Sequence, residues 1–342
     1  MHAVQLTRVG SPLEDREIPI PDPGANEIVL DVKAAGICHS DAHYRAGTSP
    51  VAFTPITPGH EVAGIVSRVG ANVRNVARDD RVALHYLLTC GECEYCTRGL
   101  EQFCLTGRMI GKHANGGFAE YIVVPAKNAI PMPDNVTYEA AAIMMCSSAT
   151  AFHALRQAGL SAGESIAIFG TGGLGMSAVQ LSRIAGASFV FAVDIDETKL
   201  RKAESYGARP VNAARTDPVA YLRDVTAGRG VDVAVEFAGL PLTQGQAISS
   251  LAVHGRAALA GITSKPLSLA SYAELINREA LVIGVSDHRR NELVTIMQFS
   301  SRGLLDLDSI IEATVPLTAT AINQTLDGLA DFRGFTRTVV LP

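Results

Sequence analysis

Four cysteines lie within fifteen residues of one another, at the spacing C-x2-C-x2-C-x7-C. Thiolates so close in sequence can wrap one tetrahedral Zn²⁺ and leave no open position, which is typical of a structural site. Disulfides belong mainly to small secreted domains, and a ferredoxin-type iron–sulfur site has a proline where Leu105 follows the last cysteine here. We therefore predict a structural zinc, with a disulfide pair or an iron–sulfur cluster as alternatives, at Cys90, Cys93, Cys96 and Cys104.

A glycine-rich hexapeptide, Gly-Thr-Gly-Gly-Leu-Gly, has the form G-x-G-x-x-G and lies between a predicted strand and a predicted helix. Gly170 permits a tight turn, Gly172 lets the backbone approach a pyrophosphate, and Gly175 lets helix and strand pack closely. Asp194 ends the next predicted strand, where a carboxylate accepts from a ribose hydroxyl and repels a 2′-phosphate. The pattern predicts a nucleotide site that prefers NAD to NADP, formed by Gly170, Gly172, Gly173, Leu174, Gly175 and Asp194.

Two cysteines remain, Cys38 and Cys146, and several histidines lie near Cys38 or in the sequence Gly59-His60-Glu61. Taken singly, a cysteine is usually a small core residue and a histidine a hydrogen-bonding one. Spacing alone therefore makes these residues no more than candidates for a second metal site.

These motifs together resemble the zinc-containing alcohol dehydrogenases of the medium-chain dehydrogenase/reductase superfamily, over essentially the whole chain. The cysteine quartet matches the structural zinc lobe of that family, and the glycine-rich loop lies where the family places it. The family signature G-H-E-x2-G-x5-G-x2-V is met by Gly59, His60, Glu61, Gly64, Gly70 and Val73.

The resemblance implies that Cys38, His60 and Cys146 bind a catalytic zinc. It places Glu61 behind the metal, as an alternating ligand or a supporting carboxylate, and Asp41 against His60. The further roles it implies are Ser40 at the alcohol oxygen, His43 at the end of a proton relay through the nicotinamide ribose, His39 and Arg337 at the pyrophosphate, Thr150 beside the nicotinamide, and Lys199 at the adenosine ribose.

The activity so implied is the reversible oxidation of a primary or secondary alcohol by NAD (EC 1.1.1.-, with 1.1.1.1 preferred), with two zinc ions per subunit. A homo-tetramer is expected, with a dimer as the alternative. A polyol or amino-alcohol dehydrogenase of the same superfamily competes, although polyol members commonly have Glu where this chain has Cys146. A zinc-binding structural or quinone-reductase-like protein also competes, but it predicts broken ligands.

Strands and helices alternate in the middle of the chain, which predicts a doubly wound parallel sheet. By resemblance, residues 149–283 form this Rossmann domain. Residues 1–148 and 284–342 form a GroES-like β-rich catalytic domain with a zinc lobe near 88–106. The predicted strands are Ile28–Ala35, Ala63–Val69, Ser165–Phe169, Ser188–Val193, Val231–Phe237, Ala257–Ala260 and Arg337–Leu341, and the predicted helices are Leu174–Ala185, Glu197–Tyr206, Pro218–Thr226, Gln244–Ala252 and Asn291–Ser300.

Composition limits the classes of partner. The 342 residues carry a net charge of −5, which gives no basic surface for nucleic acid or for a membrane. No stretch reaches the roughly 18 apolar residues that span a bilayer, and the amino terminus lacks a signal-peptide pattern. We expect a cytoplasmic enzyme with a small-molecule alcohol or carbonyl substrate.

The substrate pocket departs from that of microbial ethanol-oxidising relatives, which carry Trp after the first zinc ligand and again before the quartet. No Trp occurs in this chain. We expect a wider pocket that His85 makes partly polar, and better turnover of alcohols bulkier than ethanol. The stretch Ser286-Asp287-His288 is interpreted as an exposed polar turn.

Overall fold

The computed structural model describes residues 1–330 and 336–342. The chain divides into two compact units, Met1–Cys146 with Arg289–Pro342, and Ser147–His288. Within the described ranges, no helix is both long enough and apolar enough to cross a bilayer.

The strands, in chain order, are β1 (His2–Gln5), β2 (Glu14–Glu17), β3 (Glu27–Ile37), β4 (Glu61–Val69), β5 (Arg81–Leu84), β6 (Leu87–Leu88), β7 (Arg108–Met109), β8 (Tyr121–Pro125), β9 (Ala129–Pro131), β10 (Ser165–Phe169), β11 (Phe189–Asp194), β12 (Arg209–Asn212), β13 (Val231–Glu236), β14 (Leu251–Leu259), β15 (Leu281–Gly284), β16 (Ala313–Pro316) and β17 (Thr338–Leu341). The α-helices are α1 (His39–Ala46), α2 (Glu94–Thr97), α3 (Tyr138–Ile143), α4 (Ala149–Gln157), α5 (Gly173–Ile184), α6 (Glu197–Ser205), α7 (Pro218–Val225), α8 (Pro241–Ser249), α9 (Ser271–Glu274), α10 (Arg290–Ser301) and α11 (Ala319–Ala330).

The first unit is built on a sheet with the strand order β16-β17-β3-β4-β5-β9, and β8 also pairs with β3. Strand β3 is the centre of this sheet because it pairs antiparallel with β4, β8 and β17. Ile28, Leu30 and Val32, at every second position, pack in the core of this unit, and Ala35 and Ile37 do so beyond an irregularity in the pairing. The carboxyl end of β3, at Ile37, is followed directly by Cys38, the first of the predicted metal ligands.

The second unit is a parallel sheet of six strands in the order β12-β11-β10-β13-β14-β15. The strand order reverses between β10 and β13, which confirms the predicted doubly wound fold and puts its crevice at the carboxyl ends of these two strands. Local signals begin the helices: Asp196 caps α6 by accepting from two backbone amides, and Asp217 caps α7 just before Pro218.

Predicted and observed elements differ most at the end of α8. The predicted helix runs to Ala252, but α8 ends at Ser249 and β14 begins at Leu251. Leu251 pairs with Val231 in the parallel register, and its buried side chain packs in the sheet core. Burial in the sheet therefore overrides the helical periodicity of the segment.

Candidate metal centres and nucleotide-binding loop

A buried cluster forms where β3, β4 and the end of α3 meet. One ligand atom from each of Cys38, His60, Glu61 and Cys146 lies within 4.8 Å of the others. Each of these four side chains is at most 8% exposed. The fold thus brings together the three predicted ligands and the predicted neighbouring carboxylate, although they are spread over more than a hundred residues.

The register of the central sheet positions two of these ligands. Strands β3 and β4 pair with Gly36 opposite Glu61, so Cys38, just beyond β3, and His60, just before β4, become neighbours. A Cβ at Gly36 would collide with the Glu61 carboxylate, which explains the glycine. Cys146 comes from a π-helical turn, Met144–Ser148, and such local wider turns often occur at functional sites.

Asp41 ties the pieces of the cluster together. Its Oδ2 accepts from the backbone N–H of Cys38 at 2.9 Å, and its Oδ1 accepts from that of Gly59 at 3.2 Å. The same Oδ1 lies 3.4 Å from Nδ1 of His60. Because Nδ1 faces this carboxylate, Nε2 is the nitrogen of His60 that remains for a metal.

The electrostatics of the cluster suit a cation. A hydrogen bond with Cys146 outweighs burial and, with His60 and Arg337 nearby, holds the pKa of Cys38 well below its usual value. Burial tends to lower the pKa of His60, but the charge and hydrogen bond of Asp41 raise it to about 10. Two thiols and an imidazole form a sulfur and nitrogen donor set that fits zinc.

Behind the cluster, a buried ion pair joins the two ends of the first unit. Nη2 of Arg337 donates to Oε2 of Glu61, and these side chains are 4% and 0% exposed. Oε1 of Glu61 has no hydrogen-bond partner, which leaves an acceptor at the cluster. Arg337, predicted at a pyrophosphate, therefore has its guanidinium on Glu61 in this structure.

The cysteine quartet forms a second cluster, on a lobe around the short helix α2. The four Sγ atoms lie within 4.8 Å of one another. Cys90 Sγ lies 3.5 Å from that of Cys104 and 3.8 Å from that of Cys96, far beyond the roughly 2.05 Å of a disulfide bond. Backbone amides of Glu92 and Cys93 point at Cys90 Sγ and lower the pKa of Cys90 to about 6. The lobe can hold four thiolates around one metal ion.

Helix α1 carries the residues predicted for the proton relay. Ser40 and His43 are three positions apart and so share a face of the helix. His43 is half-buried, its ring centroid lies 4.9 Å from that of His39, and its Nδ1 lies 3.0 Å from Oγ1 of Thr48. Thr48 was not among the predicted site residues, and only its place after the helix-ending Gly47 signals it.

The glycine-rich loop of the second unit joins β10 to α5. Gly170 has a φ of 91°, and a Cβ at Gly175 would collide with the carbonyl oxygen of Gly170, so both positions require glycine. Gly172 is the N-cap of α5, which Gly173, Leu174 and Gly175 begin. Thr150, the predicted neighbour of the nicotinamide, lies half-buried in α4.

Asp194 ends β11 and binds the loop directly. Oδ2 accepts from the backbone N–H and the hydroxyl of Thr171, at 2.7 and 2.8 Å. Oδ1 accepts from the N–H groups of Ile195 and Asp196, at 2.7 and 3.0 Å. Each oxygen thus has two donors, and the carboxylate is held at the mouth of the loop. Lys199 lies in the first turn of α6, where its N–H donates to Asp196.

A further carboxylate at this crevice was missed by the sequence analysis. Glu236 ends β13 beside β10 and is fully buried. Its Oε1 accepts from the N–H of Gly239 at 2.8 Å and from the hydroxyl of Thr243 at 2.7 Å, and burial raises its pKa. An acidic residue at the end of a predicted buried strand is the signal that identifies it.

The interpretation of residues 286–288 as an exposed polar turn is wrong in part. Ser286 is exposed, but His288 is fully buried. Asp287 has a φ of 50°, and this left-handed residue turns the chain so that the next side chain points inward. The polar composition of this stretch therefore did not predict that the side chain of His288 is buried.

Comparison with known protein families gives two matches that together cover more than half of the chain. Residues 24–134 match the alcohol dehydrogenase GroES-like domain. Residues 173–302 match the zinc-binding dehydrogenase domain.

Individual relatives cover the chain more completely. An NAD-dependent alcohol dehydrogenase of Sulfurisphaera tokodaii is 30% identical over 353 aligned positions, covering 100% of both chains. An L-threonine 3-dehydrogenase of Bacillus velezensis is 30% identical over 88% of each chain. A crystal structure from Sinorhizobium meliloti 1021, described as a zinc-binding dehydrogenase bound to NADP, is 31% identical, superposes with a TM-score of 0.90, and covers 100% of this chain and 99% of that one.

Proposed function

The chain belongs to the zinc-containing alcohol dehydrogenases of the medium-chain dehydrogenase/reductase superfamily, and we propose that it oxidises a primary or secondary alcohol with NAD. The observation that carries this proposal is the buried cluster, in which Cys38, His60 and Cys146 present ligand atoms to one point. A structural or quinone-reductase-like protein would not need this set. The reaction is reversible, and its product is an aldehyde or a ketone.

Cys38, His60 and Cys146 would hold the catalytic zinc, and Glu61 would be the fourth ligand when substrate does not occupy that position. When bound, zinc supplies a Lewis acid that lowers the pKa of an alcohol hydroxyl. Asp41 contacts Nδ1 of His60, so Nε2 would be the nitrogen that binds the metal. The ion pair with Arg337 keeps Glu61 in place behind the ligands.

Ser40 and His43 would carry the alcohol proton to solvent. Ser40 would accept the alcohol proton while it gives its own hydroxyl proton to the nicotinamide ribose, and His43, half-buried on the same face of α1, would take the proton from the ribose and release it to solvent. His39 and Arg337 would face the pyrophosphate, and Thr150 the nicotinamide. For Arg337 this role requires the guanidinium to donate to the pyrophosphate of the coenzyme while it keeps its ion pair with Glu61.

We assign NAD rather than NADP as the coenzyme because of Asp194. A 2′-phosphate beside this carboxylate meets a like charge, whereas a ribose hydroxyl can donate to it. Lys199 would reach the same ribose. Since one relative binds NADP, both coenzymes belong in the test. We expect kcat/KM to be at least tenfold higher with NAD, and an equal or higher value with NADP would contradict the assignment.

A substrate panel tests the function itself. It contains linear alcohols from ethanol upward, secondary alcohols, polyols and L-threonine, each with NAD and with NADP. We expect primary or secondary alcohols bulkier than ethanol to be best, because no Trp narrows the pocket. A kcat/KM that falls steadily with chain length would contradict this expectation about the pocket, and no reaction with any alcohol would contradict the function.

A polyol or amino-alcohol dehydrogenase is the second candidate. It is favoured by the relative that is an L-threonine 3-dehydrogenase. The presence of Cys146, where polyol members commonly have Glu, counts against the polyol version. In the same panel, preference for L-threonine or a polyol would select this candidate.

We also propose a homo-oligomer, a tetramer with a dimer as the alternative. Strand β15 is an edge of the parallel sheet of the second unit, and Leu281 and Val282 on it are exposed. Tyr272 and Ile276, 70% and 65% exposed, lie shortly before it. An exposed apolar edge strand is a surface on which another chain can pair. Sedimentation velocity at micromolar concentration tests this, and a monomer would contradict it.

A further inference from the structure

The loop that ends α1 folds back onto His43. Gly47 has a φ of 80°, a left-handed conformation that reverses the chain after the helix. Thr48 then lies beside His43, with Oγ1 3.0 Å from the ring Nδ1 and 3.3 Å from the backbone carbonyl oxygen of the same histidine. The N–H of Ser49 donates to that carbonyl as well, at 3.3 Å. The turn at Gly47 and the backbone bond from Ser49 therefore hold Thr48 against the His43 ring, and Thr48 is the residue that contacts Nδ1.

The protons at this contact can be counted. A carbonyl oxygen only accepts, so its bond with Thr48 uses the single hydroxyl proton of the threonine. The lone pairs of Oγ1 then face Nδ1 of His43, and that bond requires a proton on Nδ1. A neutral imidazole with a proton on Nδ1 has its lone pair on Nε2. Both contacts of Thr48 are satisfied together only by this tautomer.

We propose that Thr48 is a positioning residue that holds His43 in the tautomer protonated on Nδ1, so that Nε2 is the atom that takes up the alcohol proton. This rests on the proposed relay. When Nε2 gains the proton, Nδ1–H still donates to Thr48, and the bond becomes charge-assisted. Thr48 therefore keeps its hydrogen bond with His43 both before and after the proton is transferred.

The first test compares kcat/KM for the best alcohol in four proteins: wild type, Thr48→Val, His43→Gln and the double variant. Valine keeps the shape of threonine and removes the hydroxyl. We expect Thr48→Val to lower kcat/KM roughly three- to tenfold, the worth of one hydrogen bond. In the His43→Gln background the same change should alter it less than twofold, because Thr48 acts through His43. Thr48→Ser, which keeps the hydroxyl, should stay within twofold of wild type.

The second test reads the tautomer without turnover. Protein labelled with ¹⁵N only in histidine gives ring signals that distinguish a protonated nitrogen from a bare one, and His43→Gln identifies the signals of His43. At alkaline pH we expect a proton on Nδ1 in wild type and in Thr48→Ser, and a shift toward Nε2 in Thr48→Val.

Each outcome decides the proposal. An equal loss from Thr48→Val in both backgrounds, or a loss that varies with the alcohol, would place Thr48 in the substrate pocket and overturn it. An unchanged tautomer in Thr48→Val would also overturn it. Full activity of His43→Gln would remove the relay, and this proposal with it, while alcohol oxidation stands. Absence of NAD reduction with every alcohol would instead reject the proposed function.

Discussion

The two cysteine clusters are built in opposite ways. The quartet comes from fifteen consecutive residues on a lobe, its cysteines are partly exposed, and backbone amides of neighbouring residues support the sulfurs. The cluster of Cys38, His60 and Cys146 comes from three separate segments, is buried, and is held by Asp41 and by the ion pair of Glu61 with Arg337. Local sequence is therefore enough to form the quartet, whereas the buried cluster forms only when the whole unit folds.

Because of this difference, we expect substitutions in the quartet to affect folding stability and substitutions in the buried cluster to affect catalysis. A closed set of four ligands leaves no position for a substrate, so damage to the quartet should affect mainly folding. The buried cluster presents two cysteines, a histidine and a nearby carboxylate, so a metal bound by the three proposed ligands would keep one position for exchange. Damage there should affect mainly turnover. The variants below test whether the two effects separate in this way.

The largest effect is expected from Cys146→Ala. Removal of this thiolate takes away a proposed ligand of the catalytic zinc, and Lewis-acid stabilisation by such a metal contributes several kcal/mol to the transition state. We expect kcat/KM to fall at least about a thousandfold, while circular dichroism shows the wild-type fold. Retention of more than a tenth of the activity would remove Cys146 from the catalytic site.

Cys104→Ala should have the complementary effect. Loss of the proposed quartet metal should cost about 3 kcal/mol of folding free energy, so the melting temperature should fall by roughly 6–12 °C. At 25 °C, kcat should stay within about threefold of wild type. A melting temperature equal to that of wild type would show that the quartet does not stabilise the protein.

Asp41→Asn tests the support of the buried cluster. The substitution keeps the shape of the side chain and removes the charge that faces His60 and the amide of Cys38. Such supporting residues typically contribute 10- to 100-fold in metal affinity or activity, and we expect a loss in that range. Asp31→Asn, on β3 and paired with Lys33, is the control and should leave metal affinity and activity unchanged. If Asp41→Asn and Asp31→Asn have equal metal affinity and activity, Asp41 does not support the buried cluster.

The smallest effect concerns His85, which lies between Glu61 and Cys90 in the sequence. Tyr86 follows it and packs its ring edge against His60, with centroids 5.2 Å apart. Burial, together with the positive charge of Arg290, lowers the pKa of His85 to about 3. An unfolded histidine titrates near 6.5. Between these values the unfolded chain binds more protons, so stability is complete above pH 6.5 and falls as the pH falls toward 3.

This shift predicts a loss of about 2 kcal/mol between pH 6.5 and pH 5, at about 1.4 kcal/mol for each pH unit. Urea unfolding at the two pH values should show the loss in wild type and a smaller one in His85→Leu. His254→Leu, at an exposed histidine, is the control and should behave as wild type. If His85→Leu loses as much unfolding free energy between pH 6.5 and pH 5 as wild type does, groups other than His85 cause the pH dependence.

Sequence reasoning went furthest where structure is local. The glycine-rich loop, α6 with its Asp196 cap, and the order of strands and helices in the second unit follow from periodicity and capping residues. The end of α8 was misplaced because Leu251 packs in the sheet, which periodicity cannot reveal. The π-helical turn that carries Cys146 also has no signal in the sequence.

The candidate site shows the same limit. The quartet could be predicted from spacing, whereas the buried ligands could be named only through resemblance, because the register of β3 and β4 brings them together. The contact of Arg337 with Glu61 joins positions 276 residues apart. Thr48 and Glu236 were missed because their partners are set by a left-handed turn and by a strand end.

Zinc content measured beside activity tests the central claim, that Cys38, His60 and Cys146 hold the metal that performs the reaction. Wild-type protein and the Cys146→Ala and Cys104→Ala variants are dialysed against metal-free buffer and analysed by mass spectrometry of the elements, with activity measured at 25 °C. The account predicts about two zinc ions per chain in wild type and about one in each variant, with activity lost only in Cys146→Ala. Undiminished zinc in Cys146→Ala, or activity lost with the quartet zinc in a folded Cys104→Ala, would contradict it.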